Sequence, residues 1–373
     1  MPWKKETLMS LKQEFVERAL AQESSFSQLC KEYCITRKTG YLLLERFQEG
    51  GMNGLLPRSK RPNRQPSKTT PEVEEKIITL RLLQPTWGAR KIITFLNRQG
   101  IATLPAPSTV TEIIKRNNLI SIEESLKRKK LMRFEREKPN DLWQMDFKGK
   151  FQLLTKQPCY PLTILDDHSR FSLTIKACAN EQGVSVKKYL EGVFRKYGLP
   201  DQINVDNGNP WGNSKLLPYT ALTVWLMELG IRVSHSRPRH PQTNGKCERF
   251  HRTLKSDLIL RHPMRNLEHA QKLFDQWRHT YNHERPHEAI GMQVPSYRYQ
   301  ASKKSMPAQL PNLEYEQDAI LRKVRGNGYI SYKNEEYLVG EAFIGRLIEI
   351  KPNETDRTVT LYFGKFQLYN YDY

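Results

Sequence analysis

The chain has 373 residues, a formal net charge of +20 and a hydrophobic fraction of 38%. That length is too great for one small core and predicts roughly two to four domains. The basic excess predicts a polyanionic partner, for which nucleic acid fits best, and it lies within residues 1–310. No segment approaches the ~18 apolar residues of a membrane span, and the first residues lack the apolar stretch of a signal peptide, so we expect no membrane partner.

The five cysteines are scattered along the chain at Cys30, Cys34, Cys159, Cys178 and Cys247. An odd, scattered set argues against a disulfide framework and predicts a reducing, cytoplasmic location. Cys30 and Cys34 can share a helical face, but no nearby His or further Cys would complete a zinc site. We therefore predict no structural zinc.

Residues 1–56 are predicted to form a helix-turn-helix domain. Amphipathic helices are expected at 11–20, 26–33 and 36–49, with Ser25 or Ser27 as the cap of the second. The third helix should begin after Thr36 and end at Gly50-Gly51. A basic helix after a short turn fits a DNA major groove, so its polar residues are the predicted DNA contacts: Arg37, Lys38, Thr39 and Arg46. The alternative is an ordinary three-helix bundle with solvated charges.

Residues 57–70 form a predicted basic linker, because their Pro, Arg and Lys content can neither hold a helix nor bury a core. Such a tether can follow DNA phosphates, and the residues predicted to do so are Arg58, Lys60, Arg61 and Arg64. A plain solvated spacer is the alternative.

A second helix-turn-helix domain is predicted at 71–120. Pro71 should occupy the first position of its first helix, and Trp87-Gly88 should open its second. Ser108 or Thr109, together with Glu112, is expected to cap the third. Its predicted DNA contacts are Arg90, Lys91, Lys115 and Arg116. The basic connector at 121–139 adds Lys127 and Arg128, with a solvated charged face as the alternative.

From residue 140 the pattern becomes mixed α/β. Strands are predicted at 142–151, 159–165, 171–177, 202–205 and 231–235, and helices at 185–198, 219–230 and 266–282 with one more around Glu248. A three-strand meander followed by alternating helices and strands predicts a mixed sheet flanked by helices over 140–300. Five further strands in 315–373 predict a small β-barrel.

Three carboxylates stand out in the mixed α/β region. Asp146 lies within an apolar strand, Asp206 follows a strand, and Glu248 begins a basic helix. An acid inside an apolar strand is costly unless it is paired or bound to a metal. Three hard oxygen ligands suit two Mg²⁺ ions, for which Mn²⁺ can substitute. Each acid also has an ordinary explanation, as a turn residue or an ion-pair partner.

The helix around Glu248 has two contrasting faces. With about 100° per residue, Glu248, Arg252 and Lys255 share one face. The apolar residues of the other face suit packing against a core: Cys247, Phe250, Leu254 and Leu258. A rival acidic pair, Asp166-Asp167, is predicted to form only a hairpin turn.

Several segments occur together in one order. They are Trp-Gln-Met-Asp-Phe (143–147), Leu-Asp-Asp-His-Ser-Arg-Phe (165–171), Val-Asp-Asn-Gly (205–208), His-Pro-Gln-Thr-Asn-Gly-Lys-Cys-Glu-Arg-Phe-His-Arg-Thr-Leu-Lys (240–255) and Tyr-Asn-His-Glu-Arg-Pro-His (281–287). In this order they resemble the DDE insertion-sequence transposases, relatives of retroviral integrases, in the single-frame form with N-terminal helix-turn-helix domains. The resemblance extends down to about residue 300.

The resemblance implies a ribonuclease-H-like catalytic core at 140–300. By position it implies that Asp146, Asp206 and Glu248 form the catalytic, metal-binding triad and that Lys255 lies near the DNA end. It also implies a DNA transposase that binds the ends of a mobile element, frees 3′ hydroxyls and joins them to target DNA. The partners implied are terminal repeats, target DNA and at least one further copy of the chain, in a bacterial cytoplasm and on the nucleoid when bound.

One departure from the family lies between Asp206 and Glu248, which are further apart than in most relatives. The additional residues fall at 209–218, where a loop tolerates insertion. Trp211 in this loop is either an anchor or a platform for a DNA base. The functional alternatives are a catalytically silent, domesticated DNA-binding regulator and a nuclease without strand transfer. A retroviral-type integrase fits less well, because the N-terminal region has no paired His and Cys zinc set.

Overall fold

The computed structural model describes residues 7–57, 68–120, 135–212, 218–236, 245–353, 355 and 357–372. The chain divides into two compact units, Met1–Lys68 and Thr69–Tyr373. Among the described residues, none of the helices combines the length and the apolar character needed to cross a membrane.

The first unit contains three helices, α1 (Leu8–Leu20), α2 (Phe26–Glu32) and α3 (Arg37–Gly54). Thr7 and Ser10 form a capping box at α1, and the Thr36 side chain accepts from Thr39 N at the start of α3, as predicted. Gly51, with φ 57°, produces a kink within α3. The helix was predicted to end at Gly50-Gly51, but it continues for about one more turn, to Gly54. The buried core comprises Phe15, Val16, Leu29, Cys30, Leu43 and Leu55.

The close approach of α2 and α3 depends on Gly40. A Cβ at this position would lie 2.8 Å from Cys30 Sγ and 2.9 Å from the Phe26 ring. Both neighbours are part of, or packed against, the core of the unit, so neither can move away without disturbing it. Gly40 therefore sets the distance between the two helices.

The second unit begins with another three helices, α4 (Pro71–Leu83), α5 (Ala89–Arg98) and α6 (Pro107–Arg116). Pro71 occupies N1 of α4, and Gly88 precedes α5, as predicted. The predicted cap of α6 is wrong, because Ala106 is its N-cap and Pro107 its first residue. Proline lacks an N–H and has a fixed φ, so it fits the first helical position better than Ser108 or Thr109. The core includes Ile77, Trp87, Ile92, Val110 and Ile113.

The mixed sheet has six strands, β1 (Trp143–Phe147), β2 (Phe151–Gln152), β3 (Pro158–Asp166), β4 (Ser172–Cys178), β5 (Gln202–Val205) and β6 (Arg232–His235). Its order is β2-β3-β1-β5-β6, with β4 also pairing β3. β1, β3 and β4 are antiparallel neighbours, whereas β5 is parallel to both β1 and β6. The predicted first strand is split in two, because Gly149 has φ 81° between β1 and β2.

Helices cover both faces of this sheet. They are α7 (Gly183–Tyr197), α8 (Ala221–Glu228), α9 (Gly245–Leu254) and α10 (Leu267–His283), and a short α11 (Pro295–Arg298) follows. Trp143 and Met145 share a core with α7 and α8, whereas α9 and α10 build a second core with β3 and β4. Because side chains alternate along a strand, Gln144 and Asp146 of β1 face the α9 side.

The C-terminal region contains six strands, β7 (Ile320–Lys323), β8 (Tyr329–Tyr332), β9 (Glu335–Leu338), β10 (Leu347–Asn353), β11 (Thr358–Phe363) and β12 (Phe366–Asp372). They form an open four-stranded antiparallel sheet, β12-β11-β10-β7, and a separate β8-β9 hairpin. The five predicted strands are present, but β12 was missed, and the described strands do not close into the predicted β-barrel. The sheets share one apolar core that also receives Val224 and Met227 of α8.

We expect Gly40→Ala to destabilise the first unit by about 1–3 kcal/mol, because its methyl group would overfill the contact between α2 and α3. Gly50→Ala is the matched control, since nothing lies within 4 Å of a Cβ there and alanine favours helix. Calorimetry and amide hydrogen exchange of α2 and α3 in the full chain would test this. Equal stability of the two variants would contradict the packing argument.

Candidate active site

Asp146 occupies a central position in the sheet. It lies on β1 opposite Thr163 of β3, and the Thr163 hydroxyl donates to Asp146 O at 3.0 Å. The Asp146 side chain is 21% exposed. The carboxylate is therefore held at the edge of the α9-side core with limited access to solvent.

Asp206 lies at the same level on the neighbouring strand. β1 and β5 are parallel, with Gln144 opposite Asn204, so two residues further on Asp146 and Asp206 come side by side. Asp206 Oδ1 accepts from Gly208 N at 3.1 Å, and the His235 ring donates to Asp206 O at 3.0 Å. Backbone contacts on both sides thus fix the residue just beyond the strand end.

Glu248 lies in the first turn of α9, on its exposed side. Arg252 and Lys255 are exposed as well, whereas Cys247, Phe250, Leu254 and Leu258 are buried, so the two predicted faces of this helix are confirmed. Within the part of the chain that the structure describes, Glu248 forms no ion pair, and the alternative pairing with Arg252 is not formed.

The charges of Asp206 and Glu248 act on Asp146, although among the described residues the oxygens of these three acids do not all lie within 4.8 Å of one another. Burial raises the pKa of Asp146 to about 7, and the negative charge of Asp206 adds to the effect, followed by that of Glu248. Burial and Asp206 also raise the pKa of Glu181, on the loop before α7. Acidic side chains that repel one another in a partly desolvated place suit a hard divalent cation, so this donor set fits Mg²⁺ or Mn²⁺.

A neutral cluster lies beneath Asp146. The ligand atoms of Asp146, Cys247 and His251 are within 4.8 Å of one another. Thr163 Oγ1 lies 2.6 Å from His251 Nε2 and 3.7 Å from Cys247 Sγ. Burial raises the pKa of the Cys247 thiol far above its usual range and lowers the pKa of His251 to about 3. A protonated thiol and a neutral imidazole bonded to Thr163 support the Asp146 backbone rather than forming a thiolate metal site.

Basic residues lie beside the carboxylates. Burial lowers the pKa of Lys148, at the end of β1, and the nearby charge of Lys255 lowers it further while Asp146 opposes the effect. Lys255 begins a π-helical turn, Lys255–Ile259, that continues α9. Lys148 was missed in the sequence, where only its position directly after the Asp146 strand could have indicated it. The site therefore places two ammonium groups close to its acids.

The predicted DNA contacts differ in their surroundings. Arg37, Lys38 and Thr39 are exposed on the first turn of α3, and Arg46 is half-buried. In the second unit Arg90 and Lys115 are exposed, and Arg116 is exposed but paired with Glu74. The remaining candidates, Arg58, Lys60, Arg61, Arg64, Lys127 and Arg128, lie outside the described residues.

Lys91 is half-buried instead of standing on an open surface. Burial lowers its pKa to about 8, and its charged neighbours include Arg285, Glu288 and Asp257. On the same helix, Arg98 Nη2 donates to Met292 O at 2.6 Å. The second helical trio therefore contacts the segment that follows α10 through Arg98, and Lys91 lies near charged residues of that region.

The Tyr-Asn-His-Glu-Arg-Pro-His segment stabilises this region. Arg285 Nη1 lies 2.6 Å from Asp257 Oδ2, and both side chains are less than 10% exposed. The pair joins the end of α10 to the π-helical turn after α9. The His287 ring donates to Tyr281 O at 3.3 Å, which closes the segment on itself.

Burial decides between the two interpretations of Trp211 and adds to the turn predicted at Asp166-Asp167. Trp211 is 1% exposed and packs 6.1 Å from the Phe147 ring, so it is a loop anchor and not a platform for a base. Asp166 and Asp167 do form a turn, but both are fully buried. Asp166 accepts from Asn140 N and Ser169 N, both at 2.8 Å, and from the Ser169 hydroxyl.

Most of the chain matches the profiles of known protein families. Residues 136–241 and 229–295 match profiles described as integrase core domain. Residues 11–63 match a helix-turn-helix domain, and 39–114 match a homeodomain-like domain. Residues 319–373 match the C-terminal domain of IS481 family transposases. The chain is thus a protein with N-terminal helix-turn-helix domains and an integrase core.

The chain can also be compared with individual proteins. The chain is 25% identical over 237 residues to an uncharacterized protein of insertion element IS407 from Burkholderia multivorans, covering 61% of this chain and 82% of that protein. It is 29% identical over 174 residues to one of insertion element IS476 from Xanthomonas euvesicatoria, covering 45% and 48%. The solved catalytic core of HTLV-2 integrase with magnesium is 16% identical, covers 44% of this chain and 99% of that one, and has a TM-score of 0.35.

Over most of its length the chain is similar to integrase-like transposases of insertion sequences. The helix-turn-helix domains and ribonuclease-H-like core that the sequence predicted are confirmed by these family matches.

The raised pKa of Asp146 has a consequence for stability. When a carboxyl holds its proton more tightly in the folded than in the unfolded chain, the folded protein loses stability as the pH rises from about 4 through 7. We expect Asp146→Asn to stabilise the metal-free protein at pH 8 by about 1–3 kcal/mol, with the difference vanishing near pH 4. Denaturant unfolding across this pH range would test it, with exposed Asp318→Asn as control. A wild-type protein as stable as Asp146→Asn at pH 8 would contradict the desolvation argument.

Proposed function

We propose that the chain is a DNA transposase that binds the ends of a mobile element, cleaves there to free 3′ hydroxyls and joins them to target DNA. The observation that carries the proposal is the placing of Asp206 beside the partly buried Asp146 by the β1–β5 pairing, with the charge of Glu248 acting on the same carboxyl, inside an integrase core. Lys148 and Lys255 beside these acids supply positive charge for a phosphodiester.

The three carboxylates are the proposed metal ligands. Asp146, Asp206 and Glu248 would hold two Mg²⁺ ions, or Mn²⁺ in their place, because both cations prefer carboxylate oxygens. When bound, such ions would stabilise negative charge on the attacking and leaving oxygens of a displacement at phosphorus. The protein contributes position, since each acid is held on a different element of the sheet and its covering helix.

The reaction has two displacements of the same kind. Water attacks the phosphodiester at the element end, the P–O3′ bond breaks, and the leaving oxygen takes up a proton as a 3′ hydroxyl. This hydroxyl then attacks a target phosphodiester and displaces its 3′ oxygen, so the number of phosphodiester bonds is unchanged in the second step. Lys148 and Lys255 would bind the phosphates next to the reacting bond.

The N-terminal helices are the proposed readers of the element ends. Arg37, Lys38 and Thr39 project from the first turn of α3, and helix N-termini in this arrangement reach base edges and phosphates. Lys115, exposed in the last turn of α6, is the proposed contact of the second trio. A mobile element has two ends, so at least two copies of the chain would assemble on DNA.

Asp146→Asn, Asp206→Asn and Glu248→Gln should each reduce cleavage and strand transfer by at least about 10³-fold, because each removes one charge from the metal site. Binding to element ends should stay within about twofold. The control is Glu268→Gln, because Glu268 is an exposed acid that pairs with Lys272 on α10. Gel-shift and strand-transfer assays with pre-cut ends measure both properties.

The results of these assays distinguish the functional alternatives. Normal activity in any of the three carboxylate variants would remove that residue from the triad. A wild-type chain that binds ends but neither cuts nor joins them in Mg²⁺ would instead favour the silent regulator, and cutting without joining would favour a nuclease.

End binding should weaken steeply with salt, because each phosphate contact releases counterions and contributes about 0.9 to the logarithmic slope. Lys38→Ala and Lys115→Ala should each lower that slope by about 1. Lys91→Gln is the contrast, since Lys91 is half-buried among charged residues of the protein and its loss should leave the slope unchanged. Binding measured from 50 to 300 mM salt tests all three, and a flat wild-type response would contradict the charge argument.

A further inference from the structure

Asp167 is the hub of a buried network between the strand of Asp146 and the helix of Glu248. It is fully buried in the turn after β3. One oxygen, Oδ1, accepts from Gln144 Nε2 at 2.8 Å and lies 2.5 Å from Lys246 Nζ. The other, Oδ2, accepts from Arg136 N at 2.9 Å. Three separate parts of the chain thus meet on a single carboxylate.

The network also caps the N-terminus of α9. The first backbone N–H groups of a helix have no partner within the helix. Cys247 N, in the first turn of α9, donates to Gln144 Oε1 at 3.2 Å. Gln144 therefore acts as a cap from a distant strand, with its amide oriented by Asp167, which binds the nitrogen and leaves the oxygen for α9.

The positions of the network residues relate it to the site. Gln144 precedes Asp146 by two residues and shares its face of β1, and Lys246 and Cys247 directly precede Glu248. A buried carboxylate with a lysine partner and several donors is rigid, because losing any bond leaves a charge without solvation. A displacement of the network would move Glu248 relative to Asp146.

We propose that Asp167 is a positioning residue, which through Gln144 and Lys246 holds the first turn of α9 so that Glu248 stands opposite Asp146. The proposal rests on the proposed function in that Glu248 and Asp146 are taken as ligands of one metal site. The adjacent Asp166 provides a matched comparison. It is equally buried in the same turn, but its hydrogen bonds reach Asn140 and Ser169 and none reaches α9.

The test compares Asp167→Asn with Asp166→Asn in the full chain. Asparagine keeps the size of the side chain but removes the charge that holds Lys246. We expect both variants to lose thermal stability, and only Asp167→Asn to bind Mn²⁺ about 10-fold or more weakly by calorimetry without DNA. Strand transfer by Asp167→Asn should recover as Mn²⁺ is raised, with end binding unchanged.

A second variant guards against loss of folding. Gln144→Met removes the cap from α9 and leaves Asp167 in place, so it should also weaken Mn²⁺ binding and speed amide hydrogen exchange in residues 245–248. Unchanged Mn²⁺ affinity in Asp167→Asn, or an equal loss in Asp166→Asn, would overturn the proposal.

Hydrogen exchange distinguishes this failure from failure of the proposed function. If Glu248→Gln binds Mn²⁺ as tightly as wild type, the metal assignment fails. The positioning role of Asp167 is then supported if amide exchange in the first turn of α9 is faster in Asp167→Asn but not in Asp166→Asn. Unchanged exchange in Asp167→Asn would overturn it.

Discussion

The burial of the Asp146 carboxyl beside other acids is the constraint on which the rest of the site depends. Burial and the charge of Asp206 raise the pKa of Asp146, so the metal-free fold holds these acids together at a cost in free energy. That arrangement persists only because each acid belongs to a different rigid element. Parallel pairing of β1 with β5 fixes Asp206, and packing of the apolar side of α9 against the sheet fixes Glu248. Stability elsewhere in the core maintains a locally unfavourable site.

Much of this fold could be predicted from periodicity. The strands and helices of the mixed sheet fall close to their predicted positions, and the apolar side of α9 is buried as its spacing indicated. The burial of polar side chains could not be predicted from the sequence. A turn signal such as Asp166-Asp167 is the same whether its carboxylates face water or a buried lysine, because local sequence does not specify the elements that pack over it. Trp211 illustrates the same limit.

Basic residues show a related ambiguity. Lys38 and Lys91 are both lysines near helix starts in predicted DNA-binding domains, yet Lys38 is exposed and Lys91 is half-buried near charged residues of the segment after α10. The pattern of charges along the sequence identifies a basic region. It does not show which Lys and Arg side chains contact other parts of the protein instead of solvent. The C-terminal sheets gave a similar result, since five strands were evident from alternation whereas β12 and the open edge depend on pairing between distant residues.

The π-helical turn after α9 has a consequence for how this region can change in evolution. Leu260 N bonds to Lys255 O, so this turn holds one residue more than an α-helical turn would. Loss of a single residue would restore ordinary helix, rotate the following side chains and separate Asp257 from Arg285. Insertions and deletions should therefore be rare here and common in the loop at 209–218, and sequence gaps among relatives would be distributed unevenly around Glu248.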